Sequence, residues 1–266
     1  MTAVALALFF GALIGLSVGA LGGGGSILAV PVLVYLLGES PAQATTGSLV
    51  VVSVTSLIAA TTAYRAGNVL LARGVVFGLV AIGGTAVGAR AAAHVDGDVL
   101  MASFAGLLLA VGAVMAWRQR PDRRAPDHPP NRVGEPRLNS PVRRAAGVLL
   151  TATTVGLLTG FLGVGGGFLV VPALLLVLAL PVRYAVGTAL VAIALTSTAA
   201  LGLRVGAGIQ PDWSIVLALT TTSALGGVAG AKVAARIDAR RLTLGFTVLV
   251  LSVAVYTAAR AIPALF

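Results

Sequence analysis

Two runs of small residues are the part of this sequence best suited to bind a ligand. The first reads Gly-Gly-Gly-Gly-Ser over residues 22–26, and the second reads Gly-Val-Gly-Gly-Gly over residues 163–167. Consecutive glycines disfavour a continuous helix, so each run predicts a break followed by a new helix. The first turn of a helix presents unpaired N–H groups and the positive end of the helix dipole. Backbone without side chains lets a small anion approach those groups, so the predicted chemistry is oxyanion binding.

The glycine runs also allow a purely structural interpretation. Glycine is frequent in membrane helices, where it permits close packing or a tight turn. Two runs at equivalent positions, each before an undersized helix, favour a binding site instead. The predicted substrate-binding residues are Gly22, Gly24, Gly25, Ser26, Ser48, Gly163, Gly165, Gly166, Gly167 and Thr188, and the predicted structural or hinge residues are Pro31, Pro172, Gly47 and Gly187.

Hydroxyl residues on the segment after each short helix form a second candidate set. They are Thr45, Thr46, Ser48, Ser53, Thr55 and Ser56 in the first copy, and Thr188, Thr196, Ser197 and Thr198 in the second. Such hydroxyls can bind an oxyanion or a sugar-like solute, but they also bond routinely to the carbonyl one turn back. The pair Ser48 and Thr188, each directly after a glycine, is the best functional candidate among them.

Arginine and histidine residues near the predicted segments have simpler expected roles. Arg65 and Arg204 lie at segment ends and are expected to extend to the membrane interface. The alternative is that one of them points into a cavity and attracts anions. His94 and His128 lie in loops without a cluster of ligands around them, so no metal site is predicted.

The composition argues against a soluble globular domain. Of 266 residues, 58% are hydrophobic and only 10% are charged, whereas soluble domains carry roughly 25% charged residues. A crossing needs about 20 apolar residues, and such stretches occupy residues 3–21, 43–64, 74–92, 99–117, 145–162, 184–203, 213–231 and 242–260. Residues 26–37 and 168–180 are apolar but too short. The sequence predicts an all-α polytopic membrane protein, whose net charge of +10 is not a nucleic-acid footprint.

The predicted segments fall into two related halves. The pattern G-x-x-x-G-x-x-G-x-G-G recurs at residues 15–25 and 156–166, and later matches keep an offset of 140 to 142 residues. Between the halves lies a polar stretch that holds eight of the 18 basic residues and six of the 12 prolines. Three regions follow: a first repeat (1–117), a linker (118–144) and a second repeat (145–266). Small-residue pairs predicted to be helix contacts recur at Gly84 and Gly88, and at Gly226 and Gly230.

Basic residues predict the orientation of the chain. Cytoplasmic loops collect Lys and Arg, which places the linker inside. Five segments per half then put both termini outside, and the two repeats lie in opposite orientations. Only Arg90, Arg204 and Arg260 fall outside in this arrangement. The expected location is the cytoplasmic membrane of a bacterium.

Several chemistries have no residues to support them. No acidic residue lies inside a predicted segment, and the chain has no cysteine, no phosphate-binding P-loop and no nucleophile–base arrangement. We therefore expect no enzymatic activity, no cofactor and no bound metal. The expected partners are a small anionic solute and the lipid bilayer, with homo-oligomerisation left open.

The glycine motifs resemble those of the TauE/SafE sulfite exporter family. The family pattern G-x-x-x-G-x-x-G-x-G-G-G-x-x-x-x-P, with a later G-T, is matched at Gly156, Gly160, Gly163, Gly165, Gly166, Gly167, Pro172, Gly187 and Thr188. The first copy has Gly15, Gly19, Gly22, Gly24, Gly25, Pro31 and Gly47, and departs at Ser26 and Ser48. The resemblance covers nearly the whole chain outside the linker. It implies transport of sulfite, sulfonates, sulfoacetate or related small organic anions.

These observations predict a transporter that works by alternating access, with one repeat rocking against the other about a site between the glycine runs. Two alternatives stay open: a passive anion channel, and a membrane subunit that scaffolds a partner through the linker. The direction of transport and the driving force are also open, although the basic cytoplasmic side slightly favours export.

Overall fold

The computed structural model is helical throughout the part of the chain that it describes, which comprises residues 2–118, 141–162, 167–176, 178, 180–204, 210–234 and 236–261. No strand occurs in these ranges, so the predicted all-α class is confirmed. The helices are α1 (Thr2–Leu21), α2 (Ser26–Pro31, continued by a π-helical turn Val32–Leu36), α3 (Pro41–Arg65), α4 (Leu71–Ala92), α5 (Gly97–Arg118), α6 (Pro141–Leu162), α7 (Gly167–Leu176), α8 (Val182–Arg204), α9 (Trp213–Ala234) and α10 (Ala239–Ala261).

The helix lengths are those of a multi-pass membrane protein. Within the described ranges, α1, α3, α4, α5, α8, α9 and α10 are long and apolar enough to cross a bilayer. The apolar part of α6 is shorter, Ala146–Leu162. Large side chains such as Leu150, Leu225 and Leu57 are 60 to 74% exposed, which suits a surface in contact with lipid chains. Seven of the eight predicted long segments are therefore confirmed, while the apolar part of the segment predicted at 145–162 is shorter than a full span. The predicted short helices after each glycine run are also confirmed.

α1 ends at Leu21 because the next two residues take up left-handed backbone, Gly22 with φ 66° and Gly23 with φ 118°. Side chains other than glycine rarely adopt these angles. The amides of Gly22 and Gly23 both donate to the carbonyl of Val18, at 2.9 and 3.3 Å. The chain then turns and starts α2 at Ser26. The first glycine run thus makes the predicted break.

Two pairs of long helices contact through glycine backbone. α1 packs along α9, and α6 packs along α4. A Cβ at Gly15 would overlap the carbonyl of Ser223, and one at Gly156 would overlap the carbonyl of Ala81. The predicted contact glycines lie in the same interfaces, with Gly84 and Gly88 against α6, and Gly226 and Gly230 against α1. Their structural role is confirmed.

The helix contacts repeat when the two predicted halves are exchanged. α1 against α9 corresponds to α6 against α4, and α4 against α8 corresponds to α9 against α3. Contacts of α3 with α8, of α5 with α10 and of α2 with α7 map onto themselves. This pattern agrees with a duplicated architecture. The inverted orientation of the copies in a membrane stays a prediction.

Candidate functional site

The first glycine run lies in the protein interior and contacts the start of the second short helix. Residues 22–26 are all buried. The backbones of Gly23 and Gly167 touch: a Cβ added at Gly23 would lie 2.5 Å from the carbonyl oxygen of Gly167. A Cβ at Gly167 would lie 2.8 Å from Ser26 Oγ. The starts of α2 and α7 therefore meet, as the sequence pattern predicts, while Gly163, Gly165 and Gly166 lie outside the described residues.

Two amides of the first run have no backbone hydrogen bond to the part of the chain that the structure describes. Ser26 donates to the carbonyl of Gly23 through both its amide, at 3.1 Å, and its Oγ, at 2.7 Å. Among the described residues, no backbone carbonyl accepts a hydrogen bond from the amides of Gly24 or Gly25. Adjacent amides of this kind are the groups that bind an oxyanion at a helix start.

The glycines of the first run differ in what surrounds them. A Cβ at Gly25 would overlap the carbonyl of Ile14, so this glycine is needed for packing. A Cβ at Gly24 would meet only side chains, those of Leu21 and Phe246, at 3.2 Å. Gly24 is consequently the position where a substitution disturbs the amides without colliding with backbone.

Most of the candidate hydroxyls make bonds within their own helix. Ser48 Oγ donates to the carbonyl of Thr45 at 3.1 Å, and Ser56 and Thr196 bond to carbonyls one turn back in the same way. Thr188 Oγ1 instead accepts a hydrogen bond at 3.0 Å from the amide of Leu70, just before α4 begins. The hydroxyls of Ser48 and Thr188 therefore each have a structural partner.

Of the four predicted hinge residues, two are prolines inside the short helices and two are glycines in close contact with neighbouring segments. Pro31 lies at the junction between α2 and its π-helical turn, and Pro172 lies inside α7. A Cβ at Gly47 would lie 2.9 Å from Val216, and one at Gly187 would overlap the carbonyl of Asn68. Both glycines thus allow close contact of α3 and α8 with neighbouring segments.

Of the two arginines singled out at span ends, Arg65 and Arg204, the structure turns Arg204 inward. Arg65 is exposed at the end of α3, but Arg204 is partly buried. Its Nη1 donates to Thr45 Oγ1 at 2.7 Å and its Nη2 to the carbonyl of Gly160 at 3.3 Å. Its Nε is buried and has no partner among the described residues. The expectation that Arg204 extends to the interface is wrong, because Thr45 and the end of α6 bind its guanidinium.

Arg204 lines a cavity of about 570 Å³ between the ends of α3, α4, α5 and α8. We call it the Arg204 cavity; its described lining is Pro41, Ala42, Thr45, Ala89, Arg90, Ala92, Ala93, Val95, Gly97, Leu100, Leu203 and Arg204. Two arginines and no carboxylate contribute to this lining. The described lining thus carries two positive charges.

A second, nearly closed pocket occupies the equivalent place in the other half. It has a volume of about 20 Å³, and its lining includes Gly19, Ala63, Val186, Ala231, Ala234 and Leu242. At offsets of 141 or 142 residues these match Gly160, Arg204, Thr45, Ala89, Ala92 and Leu100. We call it the Ala63 pocket. The same framework therefore surrounds an open cavity at one place and a filled one at the other.

Glu39 is a buried carboxylate that the sequence patterns did not predict. Glu39, in the connection between α2 and α3, is 8% exposed. Its Oε1 accepts a hydrogen bond from the amide of Asp212 at 2.9 Å, just before α9, and its Oε2 has no partner among the described residues. The pKa of the Glu39 carboxyl is raised above its usual value, mainly by burial. The hydrogen bond from the Asp212 amide opposes this shift, and the nearby Asp212 carboxylate adds to it. The available sequence signal is that Glu39 directly precedes Ser40, the residue that caps the start of α3.

Comparisons with known proteins agree with this architecture. The family model described as sulfite exporter TauE/SafE matches residues 7–257. A curated protein of Xylella fastidiosa strain Temecula1, named "Probable membrane transporter protein", is 31% identical over 92% of this chain and 91% of its own length. Its counterpart in strain 9a5c, with the same name, is 32% identical over the same shares. No solved structure matches.

Proposed function

The chain belongs to the TauE/SafE sulfite exporter family of membrane transporters, and we propose that it carries a small anion across a bacterial cytoplasmic membrane. The substrate class that we propose is sulfite, an organosulfonate or a related small organic anion. The family description supports sulfite. The absence of acidic side chains from the predicted segments supports an anion in general.

One observation carries this proposal: the starts of α2 and α7 meet at Gly23 and Gly167. Next to this contact, the amides of Gly24 and Gly25 have no backbone acceptor among the described residues. In a membrane interior, irregular backbone is tolerated only when protein buries it or when it lines a cavity. Discontinuous helices at equivalent positions of two repeats are the usual place of a transporter's substrate site. Amides at such a place bind an anion without any charged side chain.

The transport cycle that we propose is alternating access with inverted repeats. The Arg204 cavity is open, at about 570 Å³, while the Ala63 pocket is nearly filled, at about 20 Å³. In the cycle that we propose, the Arg204 cavity would close while the Ala63 pocket opens. The glycine runs would then be accessible first from one side of the membrane and then from the other. Because Arg204 and Arg90 fall on the predicted outer side, the open cavity would face away from the cytoplasm.

The first test is a substitution at Gly24. Gly24→Ala adds a methyl group beside the free amides, where the nearest atoms are side-chain atoms of Leu21 and Phe246. We expect the purified protein to stay folded and its anion Kd to rise at least about tenfold, equivalent to about 1.4 kcal/mol. Binding is measured by thermal stabilisation with sulfite, sulfate, thiosulfate, taurine, sulfoacetate and acetate, and transport by flux into liposomes.

Gly106→Ala is the matched control, since a Cβ there meets nothing within 4 Å. It should leave binding and flux unchanged. If Gly24→Ala binds and transports anions as well as the parent protein does, the glycine runs are only turns and not a binding site.

The same assays distinguish the transporter from the two alternative functions. A flux above about one million anions per second would outrun microsecond domain motions and indicate a channel. Loss of function on deletion of residues 121–140, with intact anion binding, would indicate a scaffold that docks through its linker.

A further inference from the structure

We propose that the Arg204 cavity is itself a binding site for a small oxyanion, with Arg204 as the residue that binds it. The described residues of the glycine runs, residues 22–26 and Gly167, do not line this cavity. The proposal deepens the anion transport proposed above and rests on it only for the onward passage of the anion. Binding in the cavity can be measured without any transport.

The first argument is that Arg204 has no counter-ion in the described part of the chain. No carboxylate of the described residues forms an ion pair with Arg204, unlike Arg241, which lies 4.0 Å from Asp238. A guanidinium has five N–H donors, and the contacts with Thr45 and Gly160 use two of its three nitrogens. A partly buried charge without a partner is unfavourable. A mobile anion in the cavity would remove that cost.

The second argument is the shape and charge of the cavity. At about 570 Å³ it has room for an anion of sulfate size together with several waters, since each water takes about 30 Å³. Arg90 adds a second positive charge at its edge. A planar guanidinium binds sulfonate and sulfate oxygens through two parallel hydrogen bonds, which Lys cannot do.

The third argument is the contact between Arg204 and the last turn of α6. Its Nη2 bonds to the carbonyl of Gly160, in the last turn of α6, and that helix ends at Leu162, directly before residues 163–166. An anion that draws the guanidinium into the cavity competes with this bond. Binding in the cavity would thus act on the segment that leads to the second run.

The chain contains no cysteine, so a single introduced thiol can report on the cavity. Ala93 lines the cavity and is exposed, which makes Ala93→Cys a mild change. The thiol is reacted with two methanethiosulfonates of similar size, one bearing a sulfonate and one a trimethylammonium group. The ratio of the two rates measures the local electrostatic potential.

In the Ala93→Cys protein we expect the anionic reagent to be favoured. Adding Arg204→Gln should lower the anion-to-cation rate ratio at least about fivefold, as expected for loss of one charge nearby. Adding Arg240→Gln, an exposed arginine outside the cavity lining, should not change it. An unchanged ratio in a folded Arg204→Gln protein would overturn the proposal.

A protection experiment needs no substitution at Arg204 and therefore stands even if that variant does not fold. Millimolar sulfoacetate or sulfate should slow labelling of Ala93→Cys severalfold, whereas neutral dimethyl sulfone should not. Equal labelling rates with and without these anions would reject a cavity site. If protection fails while sulfite flux persists, anion transport survives and the cavity site does not. Protection without flux would support the cavity site and contradict sulfite transport.

Discussion

The Arg204 cavity and the Ala63 pocket are lined by equivalent positions of the two halves, but they differ in their side chains and in their volume. Where one has Arg204 and Thr45, the other has Ala63 and Val186. The first encloses about 570 Å³ and the second about 20 Å³. In the closed pocket, α8 approaches the first glycine run so closely that a Cβ at Gly22 would lie 2.7 Å from the Cα of Val186. The two predicted halves thus place matching positions around both pockets but fill them with different side chains.

The helix starts near the two places differ in the same way. The amide of Leu70, before α4, bonds to the neutral hydroxyl of Thr188, whereas the amide of Asp212, before α9, bonds to the carboxylate of Glu39. Leu70 and Asp212 are equivalent at an offset of 142 residues. The cap beside the Arg204 cavity is therefore a carboxylate, and the cap beside the Ala63 pocket is a neutral hydroxyl. The Ala63 pocket also has an arginine in its lining, Arg183, but it lacks the volume in which the Arg204 cavity could hold an anion.

The largest effect should come from giving the closed pocket the charge of the open one. Ala63→Arg inserts a long cation where Ala63 is 9% exposed and where Arg183 also contributes to the lining. We expect a loss of about 3 kcal/mol in the free energy of unfolding. Ala63→Met, of similar length but uncharged, should lose less, because it suffers only from overpacking. Equal melting temperatures for the two variants would mean that the Ala63 pocket opens to water. The contrast between an open Arg204 cavity and a filled Ala63 pocket would then be wrong.

A smaller effect should follow from removing the neutral cap of α4. Thr188→Val deletes the oxygen that accepts the Leu70 amide, at an expected cost of about 1 kcal/mol. In a protein of this size such a cost lowers Tm by roughly 2–4 °C. Thr188→Ser should retain the parent Tm and the parent anion affinity. An unchanged Tm with lost anion binding in Thr188→Val would make Thr188 a substrate ligand, as its pairing with Ser48 in the sequence predicts.

The smallest effect concerns the charged cap of α9. Because burial raises the pKa of Glu39 in the folded protein, the folded state holds a proton at pH values where the unfolded state has lost it. The resulting stability is complete below the unfolded pKa and is lost as pH rises through the folded one. Glu39→Gln should therefore flatten the fall of Tm with pH over this window, by less than about 3 °C. The control Asp98→Asn changes an exposed carboxylate and should keep the dependence of Tm on pH seen in the parent. If Glu39→Gln also keeps that dependence, a group other than Glu39 causes it.

The helices could be predicted from the sequence because hydropathy and length determine them. Consecutive glycines in apolar surroundings also predicted where α1 would stop and where two short helices would begin. The contact between Gly23 and Gly167 followed from the assumption that the runs occupy equivalent places. All of these signals are local in the chain or repeat at a constant offset.

The Arg204 cavity could not be predicted, because the groups that position Arg204 are distant in sequence. An arginine at the end of an apolar helix normally extends to the interface, and nothing near residue 204 marks Thr45 or Gly160 as its partners. Glu39 was missed for a related reason: it lies between segments, and its burial depends on the start of α9 packing against it. Burial of a polar group is a tertiary property, so periodicity does not reveal it.

The glycine contacts of α1 with α9 and of α6 with α4 have a mechanical consequence. Each contact joins a helix of the first half to a helix of the second, with backbone against backbone. Rocking the two halves against each other as separate bodies would open both interfaces at once and expose bare peptide groups. Under the proposed alternating access we therefore expect each moving part to contain helices from both predicted halves, in place of one repeat that rocks against the other. Crosslinks within α1–α9 or α4–α6 should then leave transport intact.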